Sequence, residues 1–241
     1  MVADFFRHND IIALCLITME GTHMTLWRKF WTRALYWRFL LFQRHRYDHL
    51  SLERMGDINL LILPQVFNPA LFRTGAMLIE YAKQYITPQT RVLDMGTGSG
   101  FGAVACAKIA SSVAAVDINP HAVKCATINA MINDVTVTVY VGDLFAPVDG
   151  QHFDLILFNP PFFDGEPKTP LDRAWRSTDV IPRFVHGLKS HLSAEGCALV
   201  VLSSKGNLPQ FLQICADASV RVEEIAKRDA LSEWVLVYRL S

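Results

Sequence analysis

The chain has 241 residues, enough for one α/β domain with a modest appendage and too few for two large domains. Hydrophobic residues make up 51% of it, which excludes a globally disordered chain. Lys+Arg and Asp+Glu both number 23, so no overall basic field marks a nucleic-acid binder, although a local basic patch is compatible with this balance. The five cysteines, Cys15, Cys106, Cys125, Cys197 and Cys215, are scattered and form no C-x-x-C pair. That pattern supports neither a zinc site nor a disulfide framework, and it fits small buried hydrophobes in a reducing, cytoplasmic setting.

From the N-terminus, Ile11–Ile17 is apolar but short of the roughly 18–20 residues of a membrane-spanning helix. It is flanked by Asp10 and Glu20 and lacks a basic leader and a small-residue cleavage site, so it does not read as a signal peptide. Met24 is an alternative start, in which case Met1–His23 would contribute nothing to the fold. Leu26–Phe42 mixes Trp27, Phe30, Trp31, Tyr36, Trp37 and Phe39 with Arg28, Lys29, Arg33 and Arg38, and contains no acid. Three uses fit such a segment. It could be a helical cap laying its aromatics on the neighbouring domain, a contact for an RNA or protein substrate, or a membrane-surface helix. Residues 1–60 are therefore expected to form a helical extension, and residues 61–241 the main domain.

Beyond Ile86-Thr87-Pro88, strand and helix patterns alternate with short turns, the mark of a parallel sheet covered by helices. The expected order is strand Arg91–Asp94, helix Phe101–Ala110, strand Ser112–Asp117, and a helix from Pro120 to about Asn133. Pro120 suits a first helical turn, where its missing N–H costs nothing. Strands Val135–Val141 and Phe153–Phe158 come next, then a polar loop over Phe162–Ser177 and a helix to about Leu192. Strand Ala198–Leu202 and helix Leu208–Ala218 precede two closely spaced strands, Val220–Ala226 and Trp234–Leu240, which suggest an antiparallel pair.

Two clusters carry the chemistry. The first is Asp94-Met-Gly-Thr-Gly-Ser-Gly100, where Gly96, Gly98 and Gly100 let the backbone turn sharply and approach a ligand closely, with Thr97 between them. The helix that follows aims its N-terminal N–H groups into the same space. Asp94, Asp117 and Asp143 end three consecutive expected strands, and Asp117 stands where such folds place an acid on ribose hydroxyls. The glycine turn alone also fits a nicotinamide pattern loosely, and strand-end aspartates can serve only as helix caps. The second cluster, Asn159-Pro160-Pro161-Phe162, ends the fourth strand. A conjugated amide or exocyclic amine is a poor nucleophile, and a site helps by accepting both of its N–H bonds. The Asn159 side-chain oxygen and the Pro160 carbonyl suit that task, and Phe162 can stack on a planar group. Taken alone, Asn-Pro-Pro can be simply a strand-ending turn.

Taken together, Asp94–Gly100, Asn129-Ala130 and Asn159–Phe162 make the stretch Leu63–Leu240 resemble class I S-adenosylmethionine (SAM) methyltransferases of the small methyltransferase domain group. That group includes HemK-type protein glutamine methyltransferases and ribosomal RNA guanine-N2 methyltransferases. The resemblance implies a Rossmann-like, seven-stranded, mostly parallel sheet that finishes in an antiparallel C-terminal hairpin. It implies SAM as cofactor, with Asp94 toward the aminoacyl end, Asp117 on the ribose and Asp143 accepting from the adenine amino group. Thr97, Ile118, Leu144 and Asn159 complete the implied cofactor set. The implied reaction is N-methylation of a macromolecule, either a protein of release-factor or ribosomal type or an RNA, and an activating partner is compatible with it; a non-catalytic SAM-binding subunit is the alternative. The glutamine enzymes usually carry Tyr where this chain has Phe162, and Phe162-Phe163-Asp164-Gly165 is closer to the guanine-N2 branch. Pro64–Pro69 looks like the segment that closes over SAM, with Phe67 covering the cofactor and Arg73 near the substrate, although either residue can be simple packing or surface. The loop Asp164–Arg176, with Lys168, Arg173, Trp175 and Arg176, suits a phosphate backbone, an acidic protein, or a solvated lid.

Overall fold

A computed structural model describes residues 49–72, 74–168, 171–230 and 233–241. The aromatic and basic stretch Leu26–Phe42, Met24 and Arg73 fall outside the described residues.

The first described element is not helical. Strands β1 (Ser51–Met55) and β2 (Ile58–Ile62) pair antiparallel around Gly56-Asp57. Gly56 adopts φ +64°, which a two-residue hairpin turn demands and other residues resist. The hairpin thus straddles the division expected at residues 60/61. Ile58, Leu60 and Ile62 point inward and are buried, which joins the hairpin to the main core. Asn129, itself fully buried, fastens it there. Its Oδ1 accepts from the Leu61 N–H (2.7 Å), while Nδ2 donates to the carbonyls of Leu61 (2.9 Å) and Ser99 (2.8 Å).

Helix α1 (Thr74–Ala82) follows, and then the alternating units. These are β3 (Arg91–Met95), α2 (Phe101–Ala107), β4 (Ser112–Asp117), α3 (Pro120–Ile132), β5 (Thr138–Val141) and β6 (Phe153–Phe158). The polar loop expected after Phe162 holds a two-residue parallel bridge between β7 (Phe163–Asp164) and β8 (Arg176–Ser177). Helix α4 (Val180–Leu188), β9 (Leu192–Ser203), α5 (Leu208–Asp217), β10 (Val222–Asp229) and β11 (Trp234–Leu240) complete the chain. Helix α4 stops at Leu188 rather than near Leu192, because Leu192 already pairs with Phe153 and opens a longer β9. Strand β5 begins only at Thr138; Asp134, at φ 53°, ends the preceding helix in a left-handed turn.

The sheet runs β10-β11-β9-β6-β3-β4-β5. Parallel ladders join β9, β6, β3, β4 and β5, and β11 lies antiparallel to both β9 and β10. The expected mostly parallel sheet with an antiparallel finish is therefore present. Side chains alternate across it with the period of two that strands impose. Leu155 and Leu157 enter the core beneath α1, α2, α3 and the hairpin. Ile156 and Phe158 enter the core shared with α4 and α5. Burial on both faces explains why β6 reads as a continuous apolar run. The same parity sends Asp94, at the end of β3, toward α2. The order of strands reverses between β3 and β6, so the crevice beyond their carboxyl ends is where an open α/β sheet takes a ligand.

Candidate active site

A crevice of about 280 Å³ opens at that rim. Asp94, Gly96, Thr97, Gly98, Asp117, Ile118, Asp143, Leu144 and Asn159 all line it, bringing together residues that span 65 positions of sequence from four strand ends. Gly100 stands just behind, at φ +84°. A Cβ there would lie 2.7 Å from the Ala126 Cα, so the glycine lets α3 pack directly on the loop. Gly96 (φ +64°) and Gly98 (φ +55°) supply the left-handed turns that other residues disfavour.

The acids do different work. Asp94 is 7% exposed, and its Oδ2 accepts from the Thr97 hydroxyl (2.6 Å) and the Ala103 N–H (2.9 Å). Burial pushes its carboxyl up to about 6, against the pull of those two donors. Gly102 belongs to the same cradle, since a Cβ on it would come within 2.8 Å of both Asp94 oxygens. Asp117 braces the loop: Oδ2 accepts from the Gly98 N–H and Oδ1 from the Asn119 N–H, each at 2.8 Å. Burial raises its pKa too, and the two N–H donors oppose the rise. Each Asp117 oxygen keeps a further lone pair, so the carboxylate can hold the loop and still meet a vicinal diol.

Asp143 is bound to a residue that sequence reasoning missed. Arg183, on α4, donates through Nη1 to Oδ2 (2.6 Å) and through Nη2 to Oδ1 (3.3 Å). Its Nε faces Asp179 at 2.8 Å. The hydrogen bond to Asp143 is the main reason the guanidinium pKa lies above its ordinary value.

At the end of β6, Asn159 presents an unusual arrangement. Its Nδ2 donates to the Thr74 hydroxyl at 3.5 Å, and its Oδ1 is buried without a hydrogen-bond partner. An unpaired buried acceptor costs about 1–3 kcal/mol, which a donor arriving in the crevice would recover. Thr74 is another residue without a sequence signal, lying 85 positions away at the start of α1.

Not every expected residue faces this space. Pro161 lines the crevice and Pro160 does not. Phe162 packs on the α4–α5 side of the sheet and borders a separate small cavity with Phe211 and Ile214. The turn after Asn159 carries that ring to the opposite face from Asn159. Phe67, from the strap before α1, does line the crevice. It stacks on Phe72 (5.0 Å between centroids) and meets Trp175 edge-on (5.8 Å), so strap and loop touch above the glycines. Arg173 and Arg176 stand on the same wall.

The parallel sheet, the glycine cradle and the three acids at its carboxyl rim are the arrangement of a class I SAM-dependent methyltransferase fold. Residues 57–229 match the methyltransferase small domain model, and the chain belongs to that family. A Methanocaldococcus jannaschii protein provisionally named a protein N5-glutamine methyltransferase is 34% identical over 157 residues, 61% of this chain and 77% of that one. The ribosomal RNA small subunit methyltransferase C of Citrobacter koseri is 31% identical over 163 residues, 66% of this chain but only 44% of its own length. Among solved structures, the Thermus thermophilus 16S rRNA N2 G1207 methyltransferase, in complex with AdoMet and guanosine, superposes with a TM-score of 0.62. At 19% identity over 80% of this chain and 50% of that one, it shows the shared fold.

Proposed function

We propose that the enzyme transfers a methyl group to a planar nitrogen of a macromolecule, a protein glutamine amide or the exocyclic amine of an RNA base. The buried, unpartnered Oδ1 of Asn159 carries this reading. Asn159 lines the crevice, its Nδ2 meets the Thr74 hydroxyl at 3.5 Å, and its Oδ1 has no donor among the described residues. A substrate nitrogen bearing N–H bonds would satisfy it.

Asp94, Thr97 and the glycines would hold the aminoacyl end of SAM, Asp117 the ribose, and Asp143, Ile118 and Leu144 the base. Bound SAM supplies a methyl group on a sulfonium centre. The chain's own contribution is to hold the nitrogen in line with that methyl group. Asn159 would accept one N–H; the Pro160 carbonyl, the acceptor expected for the second, belongs to the adjoining turn and not to the crevice lining. Accepting an N–H bond favours pyramidal nitrogen and draws its proton toward oxygen as the new bond forms, so no strong base is required. Phe67 lines the crevice where Phe162 does not, and its ring would be available to stack there.

The names of the two relatives support a protein and an RNA substrate respectively. An activating partner subunit belongs to the same proposal, as does a cytoplasmic setting. The four described cysteines are free and buried, and no helix among the described residues is long and apolar enough to cross a membrane. Tritiated methyl transfer into cell extract, followed by separate nuclease and protease digestion, tests the proposal. Label released by one treatment alone identifies the branch. A wild-type protein that labels nothing, in extract where SAM binding is intact, overturns it in favour of a non-catalytic SAM-binding subunit.

A further inference from the structure

Arg183 belongs to neither the glycine loop nor the strand ends, yet it lines the same crevice as Asp143, Leu144 and Asp179. Its guanidinium is spanned by two carboxylates, Asp143 through Nη1 and Nη2 and Asp179 through Nε. A lone surface pair would leave such a side chain several rotamers. Anchoring from two sides in different elements fixes the plane of the guanidinium and, with it, the plane of the Asp143 carboxylate.

Hydrogen-bond arithmetic shows what remains. A carboxylate offers about four lone-pair sites and a guanidinium five N–H groups. The contacts above occupy two of the former and three of the latter. Asp143 therefore retains acceptor capacity beside an arginine that retains donor capacity, both at the crevice. An acceptor next to a donor is complementary to a base edge carrying an amino group next to a bare ring nitrogen. Adenine has that edge. Hypoxanthine, with oxygen in place of the amino group, sets an acceptor against the carboxylate.

We propose that Arg183 is a positioning residue for the adenine end of the cofactor, orienting Asp143 to accept the 6-amino N–H and setting selectivity for adenosyl over inosyl ligands. This rests on the placement of the base at Asp143, and the experiment separates the two ideas. Calorimetric titration of the full chain with S-adenosylhomocysteine and with its inosyl analogue gives a selectivity ratio for each variant. Both ligands go into the same preparation, so the ratio is insensitive to any loss of folded protein.

The wild-type chain is expected to prefer the adenosyl ligand by about 30-fold, below the discrimination of a fully buried polar site because this one is half-exposed. Arg183→Met should weaken S-adenosylhomocysteine by about tenfold and bring the ratio to within about threefold. Arg183→Lys, which keeps the charge without the fork, should recover affinity in part and selectivity little. In an Asp143→Asn background, Arg183→Met should change the ratio no further, since its effect passes through Asp143. An unchanged ratio in Arg183→Met, or tighter S-adenosylhomocysteine binding, would mean that Arg183 is a bystander or a competitor and would overturn the inference alone. An unchanged ratio in Asp143→Asn would remove the base from this position and overturn both ideas.

Discussion

Asp94 should make cofactor affinity depend on pH in a way its surroundings define. The carboxyl is buried and its pKa raised to about 6, chiefly by desolvation. With SAM in the proposed position, its aminoacyl ammonium would lie nearby and favour the ionised form. In the free protein, about one-tenth of Asp94 is ionised at pH 5 and about nine-tenths at pH 7. If binding selects the carboxylate, the Kd for SAM should fall about tenfold between those limits, with a slope approaching one decade per pH unit at the acid end. The range ends at pH 7 because amino groups of that kind titrate near 8.

Stability of the cofactor-free protein should run the opposite way. A carboxyl raised from 3.8 to about 6 favours the fold while protonated. That contribution is complete below about pH 4 and is lost as pH rises through 6; it amounts to about 3 kcal/mol. Asp94→Asn keeps an acceptor for the Thr97 hydroxyl and the Ala103 N–H while removing the titration. It should flatten both profiles between pH 5 and 7, apart from what Asp117 adds. The assays are isothermal titration for affinity and urea denaturation for stability across a buffer series. A wild-type Kd constant over this range, or an Asp94→Asn variant with an unaltered slope, would refute the reasoning.

Gly102→Ala should weaken SAM binding by tenfold or more, because the new Cβ meets both Asp94 oxygens at 2.8 Å; isothermal titration measures it. Gly100→Ala combines φ +84° with a 2.7 Å approach to the Ala126 backbone and should cost about 2 kcal/mol or more in urea denaturation. Asn129→Ala leaves the Leu61 N–H and the Ser99 carbonyl without their buried partner and should cost about 2–3 kcal/mol by the same assay. Asn159→Ala should lower kcat by about 10²–10³-fold while the Kd for SAM changes less than threefold, read from single-turnover kinetics and calorimetry.

Much of this architecture is legible in the sequence because its determinants are local. The glycine turn, the strand-end acids and Pro120 each act within a few residues, so their spacing announces them. The hairpin Ser51–Ile62 also left a signal, in the alternation Ile58, Leu60, Ile62 after Gly56-Asp57, but it is short and follows an aromatic and basic run whose pattern suits a helix. The contacts that complete the site are of another kind. Arg183 reaches Asp143 across 40 positions, and Thr74 reaches Asn159 across 85; nothing in either residue's own neighbourhood marks it. Phe162 shows the converse. It adjoins Asn159 in sequence, yet the turn at Pro160-Pro161 sends its ring to the other face of the sheet, a choice made by packing against the α4–α5 core.

The central claim concerns where the sulfur of the cofactor lies relative to Asn159. A crystal structure of the complex with S-adenosylhomocysteine tests it most directly. The aminoacyl end is expected beside Asp94 and Gly102, the ribose on Asp117, the base between Ile118 and Leu144, and the sulfur facing the Asn159 amide oxygen. A ligand bound elsewhere on the chain, or seated on this rim with its sulfur turned away from Asn159, would contradict it.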